Sequence, residues 1–97
     1  MSDRQASVRH DAAQQRYELL VDGQPLGFAE YNEQGERMVF THTEVDPSLS
    51  GQGLGSVLAK AALADARRRD KRVVPQCEFI ASYIERHKEW QDLVDPA

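Results

Sequence analysis

Apolar residues recur at period two through the first half of the chain, and in the second half their spacing lengthens to that of a helix. A short first strand is predicted over Ser7–His10, behind a polar stretch, Met1–Ala6, that is expected to fray. Tyr17–Val21 and Gln24–Tyr31 flank Asp22-Gly23, a pair that supplies the positive φ of a type I′ turn, so the two runs read as a hairpin. Along the second run Leu26, Phe28 and Glu30 share one face, and Gly27, Ala29 and Tyr31 share the other. A further turn over Asn32–Gly35 leads into Glu36–Val45, which makes the first half an antiparallel meander.

Leu54, Val57, Leu58, Ala61 and Ala62 then fall at i, i+3, i+4, i+7 and i+8, a helical stripe suited to packing on a sheet. The helix is expected to fade in the basic run Arg67–Arg72, and Lys71–Gln76 reads as a strand returning to the sheet. Phe79–His87 predicts a shorter helix, followed by an apolar tail of Trp90, Leu93 and Val94 that caps the core. The chain shows no internal repeat and no low-complexity segment.

Ninety-seven residues predict one domain, in which about 60 to 65% of the unfolded surface is buried. Neither a membrane-spanning run nor a signal-peptide core follows Met1, so a cytoplasmic, non-membrane protein is expected. Cys77 is the only cysteine, which excludes an intramolecular disulfide and a cysteine metal cage, and no metal is expected. The formal net charge of −4 argues against nonspecific nucleic-acid binding. The basic run itself reads most simply as a solvated helix end, where cations favour the dipole.

Chemistry enters at Val45–Ser56, which joins a strand to a helix through alternating glycines. The first amides of a helix have no internal partner and carry partial positive charge, so the place suits an anion such as phosphate. Gly51, Gly53 and Gly55 permit positive φ and close approach of a ligand, and Ser56 adds a hydroxyl. A Walker loop is excluded by the missing Gly-Lys-Ser/Thr ending. A dinucleotide fingerprint is disfavoured by Ser56 at its last glycine position and by the loop's place in mid-chain. A glycine-rich turn without a ligand is the plain alternative.

Ser50-Gly51-Gln52-Gly53-Leu54-Gly55 resembles the pyrophosphate loop of the GCN5-related N-acetyltransferases, Arg/Gln-x-x-Gly-x-Gly/Ala, with Ser50 in place of the usual Arg or Gln. The run His42-Thr43-Glu44-Val45, then Pro75-x-Cys77-x-Phe79 with Tyr83 and His87, is similar to a minimal single-domain branch of that family. The resemblance covers the chain from about Val8 to Trp90. It implies an α+β fold in the order β-β-β-β-α-β-α, a mostly antiparallel sheet with splayed fourth and fifth strands. It also implies acetyl-coenzyme A in the splay, with its pyrophosphate on Gly51, Gln52, Gly53, Leu54, Gly55 and Ser56. The pantetheine would pair with the edge at Thr43–Val45, where the Val45 N–H polarises the thioester.

Transfer to an amine needs a base for the ammonium and an acid for the thiolate. Alternation places His42 and Glu44 on one face of the fourth strand, where either can serve as base; solvated or sheet-satisfied side chains are the plain readings. Cys77, beyond the fifth strand, can act as an acyl acceptor if His42, His87 or the following helix end stabilises its thiolate, and is otherwise a small buried hydrophobe. Tyr83 can protonate the thiolate, with His87 at i+4 orienting it, or simply pack. Lys60, Arg67 and Lys71 are candidates for the 3′-phosphate.

The acceptor fits a protein lysine, an N-terminus or a small polyamine. The competing functions are a coenzyme-A-binding sensor without turnover and an interaction domain with a vestigial loop. Exposed strand edges leave monomer and homodimer both open.

Overall fold

The computed structural model describes residues 5–49 and 51–95. The elements follow the expected chain order: β1 (Ala6–Asp11), β2 (Arg16–Val21), β3 (Gln24–Gln34), β4 (Arg37–Val45), α1 (Leu54–Arg68), β5 (Arg72–Pro75) and α2 (Glu78–Arg86). Two 3-10 segments, Pro47–Leu49 and Lys88–Leu93, are added to it. The sheet order is β1-β2-β3-β4-β5, antiparallel through β4 and parallel between β4 and β5.

Local chemistry explains most boundaries. Asp22 and Gly23 both take positive φ (52° and 82°), as the β2–β3 turn requires. Gln5 and Ala6, expected to fray, are tied down: Gln5 N donates to Asp22 Oδ1 at 3.0 Å and Asp22 N to Gln5 O at 2.8 Å. Residues 1–4 and 96–97 lie outside the described residues. The turn expected over Asn32–Gly35 is tighter, because Asn32, Glu33 and Gln34 pair with Val39, Met38 and Arg37. Only Gly35, at φ 62°, and Glu36 remain to reverse the chain.

A bulge in β4 decides the faces beyond it. Tyr31 pairs with Phe40 and Glu30 with His42, which leaves Thr41 unopposed. One extra residue exchanges the two faces of the strand. Met38 and Phe40 are fully buried beneath the helices. Without the bulge, His42 and Glu44 would follow them inward; with it, Thr43 and Val45 turn towards the helices, and His42 and Glu44 turn out.

The core lies between one face of the sheet and the helices. Tyr17, Leu19, Val21, Ala29 and Phe40 pack in one cluster with Leu58, Ala62, Leu63, Ala66 and Ile80. The buried stripe of α1 is Leu58, Ala59, Ala62, Leu63 and Ala66, with Leu54 and Val57 only partly buried against the cluster. The alanines let the helix approach the sheet closely. Trp90 and Leu93, in the second 3-10 segment, close the end of the core as expected.

On the uncovered face Glu18 is buried between two cations, accepting from Arg9 Nε at 2.9 Å and Arg16 Nε at 3.1 Å. Under α1, Tyr17 donates its hydroxyl to Asp65 Oδ2 at 2.5 Å. Burial alone would raise the Asp65 carboxyl, but hydrogen bonds from Tyr17 and Arg68 outweigh it and hold the group below the usual range. The hydrogen bonds from Lys71 and Arg69 lower Glu33 likewise.

A carboxyl depressed on folding contributes stability that is present above its unfolded pKa, about 3.9 for Asp, and is lost as pH falls through the folded value. Thermal unfolding between pH 7 and pH 3 should therefore show a falling midpoint for the natural chain and a smaller fall for Asp65→Asn. Parallel curves would show that Asp65 carries none of the acid sensitivity.

Candidate functional site

The loop after β4 is built by short-range bonds. Asp46 N donates to Leu26 O at 2.7 Å, closing the sheet, and Asp46 Oδ1 accepts from Ser48 N at 2.8 Å, which starts the 3-10 turn. Leu49 is 3% exposed and anchors the turn in the core. Gln52 N then donates to Leu49 O at 3.2 Å, and Gln52 Nε2 to Ser48 O at 3.0 Å. Gly51 and Gly53 take φ of 79° and 71°. Gly53 caps α1 without a side-chain hydrogen bond to the helix amides. A Cβ added at Gly51 or Gly53 would meet nothing within 4 Å, so bare backbone at a helix N-terminus faces open space. That is the cradle a phosphate group fits.

Gly55 has a different reason to be glycine. It is helical, and a Cβ there would stand 2.8 Å from Phe79 Cζ. Its role is to let the Phe79 ring lie against the first turn of α1, not to supply the positive φ expected of it. Ser50, where the family pattern carries Arg or Gln, lies outside the described residues.

A cleft of about 380 Å³ opens over this loop. Gly51, Gly53, Gly55 and Ser56 form one wall, Phe79, Tyr83 and Arg86 the other, and Val45, Asp46, Pro47 and Leu49 the base. Gln52 and Leu54 do not line it: one is folded back on Ser48, the other packed on the core. Arg86, which the sequence reading missed, places a cation at the cleft. Phe79, Tyr83 and Arg86 stand at i, i+4 and i+7 of α2, a helical stripe that carries this signal. Arg67 and Lys71 lie at the far end of α1, engaged with Asp92 and Glu33, and Lys60 is exposed along the helix.

The β4–β5 pairing ends at Phe40 and Pro75. There Gln76 N and Cys77 N both donate to Phe40 O, at 3.0 and 2.9 Å, and the chain turns into α2. β4 runs on to Val45 paired with β3 but no longer with β5. Because Asp46 N reaches Leu26 O, Gly27 and Val45 form a non-hydrogen-bonded pair, and the N–H and C=O of Val45 point away from β3 into the splay. An unpaired strand edge and a helix N-terminus thus meet at one cleft.

Cys77 sits at the root of the splay, 8% exposed, with its Sγ 3.2 Å from Thr43 Oγ1. It does not line the cleft. Neither imidazole expected to assist it does so. His42 Nε2 lies 2.6 Å from Glu44 Oε2 on the outward face, and His87 Nδ1 donates to Tyr83 O at 2.9 Å. Tyr83 is buried and stacks on His87 with ring centroids 4.1 Å apart.

His42 and Glu44 share a face, as alternation predicts, with side chains 52% and 64% exposed. The Phe28 ring lies 5.9 Å from His42 and has the Arg16 guanidinium over it at 5.2 Å. Glu44 lines a second hollow that shares Val45, Asp46 and Pro47 with the cleft. The two hollows therefore meet at the end of β4.

A search of curated proteins finds no match. Among solved structures, the chain resembles the NMR solution structure of a GCN5-like protein from Staphylococcus aureus, with a TM-score of 0.73 at 22% identity, over 94% of this chain and 89% of that one. That likeness confirms the fold. The family model described as GCN5-related N-acetyl-transferase matches residues 16–93. This span holds the meander from β2 onward, the glycine loop, the splay and both helices, and the chain belongs to the GCN5-related N-acetyltransferase family.

Proposed function

We propose that this chain is an acyl-CoA-dependent N-acyltransferase that moves acetyl from acetyl-CoA to an amine, acting in the cytoplasm. The observation that carries the proposal is the junction of the splayed β4 edge with the exposed glycine backbone that opens α1, at Gly51, Gly53 and Gly55, in a single cleft. The residues present fit the coenzyme: glycines leave room for a pyrophosphate, the Val45 backbone offers the pantetheine a strand to pair with, and Arg86 adds positive charge.

Acetyl-CoA supplies an activated acyl group as a thioester. The Glu44 carboxylate removes the proton from the acceptor's ammonium, with His42 bonded to the same carboxylate as its partner. The Val45 N–H, aimed into the splay, donates to the thioester oxygen as its charge develops. Tyr83, on the facing wall, returns a proton to the departing thiolate. A C–N bond forms as the C–S bond breaks, and two protons leave the nitrogen: one passes through Glu44 to solvent as the ammonium becomes an amine, and the other, lost as the adduct becomes an amide, balances the one that Tyr83 gives to the thiolate.

Direct transfer is the route this geometry supports. The Cys77 sulfur is buried against Thr43, and both imidazoles are bonded elsewhere. A relay through Cys77 would require a reactive thiolate. Alkylation of Cys77 at neutral pH should be slower than that of a model thiol; rapid alkylation blocked by coenzyme A, with an acetyl mark on Cys77, would establish the relay instead.

Gly53→Val forces a branched residue into the left-handed region, at a strain of about 1–2 kcal/mol. Calorimetry should show coenzyme A binding weakened by about tenfold or more while circular dichroism shows a folded protein. Gly35→Val introduces comparable strain in a turn far from the cleft and should leave affinity unchanged. Equal affinity in all three proteins would remove the loop from the site.

Glu44→Gln should lower the chemical step by about 10² to 10⁴, the range for a lost general base, with coenzyme affinity unchanged. A rate within a few-fold of the natural chain, under single-turnover conditions, would make Glu44 a surface carboxylate. Coenzyme binding without consumption of acetyl-CoA across a panel of amines would indicate a sensor.

A further inference from the structure

The second hollow, about 270 Å³ in size, opens beside Val45 and is lined by Pro25, Leu26, Phe28 and Pro47, with the carboxylates of Glu44 and Asp46. We propose that it is the acceptor subsite and that it selects a primary ammonium on an unbranched apolar stem, the chemistry shared by a lysine side chain and a small polyamine. The inference rests on the acyltransferase reading and narrows it, because a peptide N-terminus is excluded.

Charge is the first argument. Glu44 and Asp46 stand two residues apart at the end of β4, and among the described residues no Lys or Arg lines the hollow. The backbone amide and hydroxyl of Ser48 hold Asp46 below the usual carboxylate range, so it is ionised at neutral pH. Glu44, which lines the hollow and not the coenzyme cleft, repels a phosphate, so the hollow is not an extension of that cleft.

Hydrogen-bonding capacity is the second. Pro25 and Pro47 have no N–H, and the Asp46 N–H is already given to Leu26 O. The hollow therefore offers acceptors and few donors, which matches an ammonium, a group with three donors and no acceptor. A peptide N-terminus brings a carbonyl acceptor and a branched carbon directly beside its ammonium. An alkylammonium brings neither.

The walls supply the third. Leu26, Phe28 and the two prolines present apolar surface to a stem. Phe28 is held in place by the Arg16 guanidinium over its ring and the His42 ring beside it, so the wall is ordered before the acceptor arrives. Since Val45, Asp46 and Pro47 border both hollows, an ammonium on Glu44 lies next to the strand edge that the thioester would occupy.

The test is an NMR titration of the isotope-labelled full chain, saturated with coenzyme A, using n-butylammonium chloride, Nα-acetyl-lysine amide, spermidine, alaninamide and sodium butyrate at matched ionic strength. Saturable shifts at the amides of Leu26, Gly27, Phe28, Glu44, Val45 and Asp46 are expected for the first three ligands. Asp46→Asn and Phe28→Ala should each weaken that binding by about tenfold. Tighter binding of the lysine amide or of spermidine supports the proposal and names the source. No saturable shift at these amides, or equal shifts with alaninamide or butyrate, would overturn it. Coenzyme A itself failing to shift the glycine-loop amides would instead defeat the acyltransferase reading.

Discussion

The site depends on one carbonyl. Phe40 O accepts from both Gln76 N and Cys77 N, and that shared bond ends the parallel pairing of β4 and β5. Beyond it β5 gives way to α2, while β4 continues as a strand whose outer edge has lost its partner. A backbone edge buried without hydrogen bonds is unfavourable, so the open edge must face solvent or a ligand. In this fold it faces the cleft over the glycine loop.

The bulge at Thr41 completes the arrangement by dividing the labour between two faces. Thr43 and Val45 are directed towards the helices, where they bound the Cys77 root and the cleft over the glycine loop. His42 and Glu44 are directed outward, where Glu44 lines the second hollow. The two hollows thus meet at the same strand end from opposite sides, and no long loop is needed to bring them together. Gly55 and Phe79 link the remaining pieces: the ring of α2 lies in the space where a side chain of α1 would be, fixing the second wall of the cleft against the first.

Features set by neighbours in sequence were legible. Asp22-Gly23 specified its turn, the period-two runs their strands, and the glycine spacing a helix opening without a side-chain cap. The family pattern carried the splay. Features set by distant pairing were not. Nothing in Thr41 announces a bulge, because the extra residue is defined only by the register of β3. The strand character of Asn32–Gln34 was hidden by its polar composition, since a hairpin end needs pairing and not burial. The i, i+4, i+7 stripe of Phe79, Tyr83 and Arg86 was present, but only Phe79 and Tyr83 were singled out in it, so Arg86 went unassigned. Cys77 illustrates the converse. Its place in the motif suggested a reactive thiol, whereas its burial against Thr43 is a property of packing that the local sequence does not encode.

Amide hydrogen exchange, resolved by residue with and without coenzyme A, tests the central claim most directly. Amides that point into the cleft exchange freely until a ligand accepts their hydrogen bonds. Coenzyme A should slow exchange at Val45 and at Gly53, Leu54 and Gly55, and leave β1 and β2 unchanged. Exchange unaltered at Val45 and the glycine loop under saturating coenzyme A, or protection confined to another part of the sheet, would contradict the account.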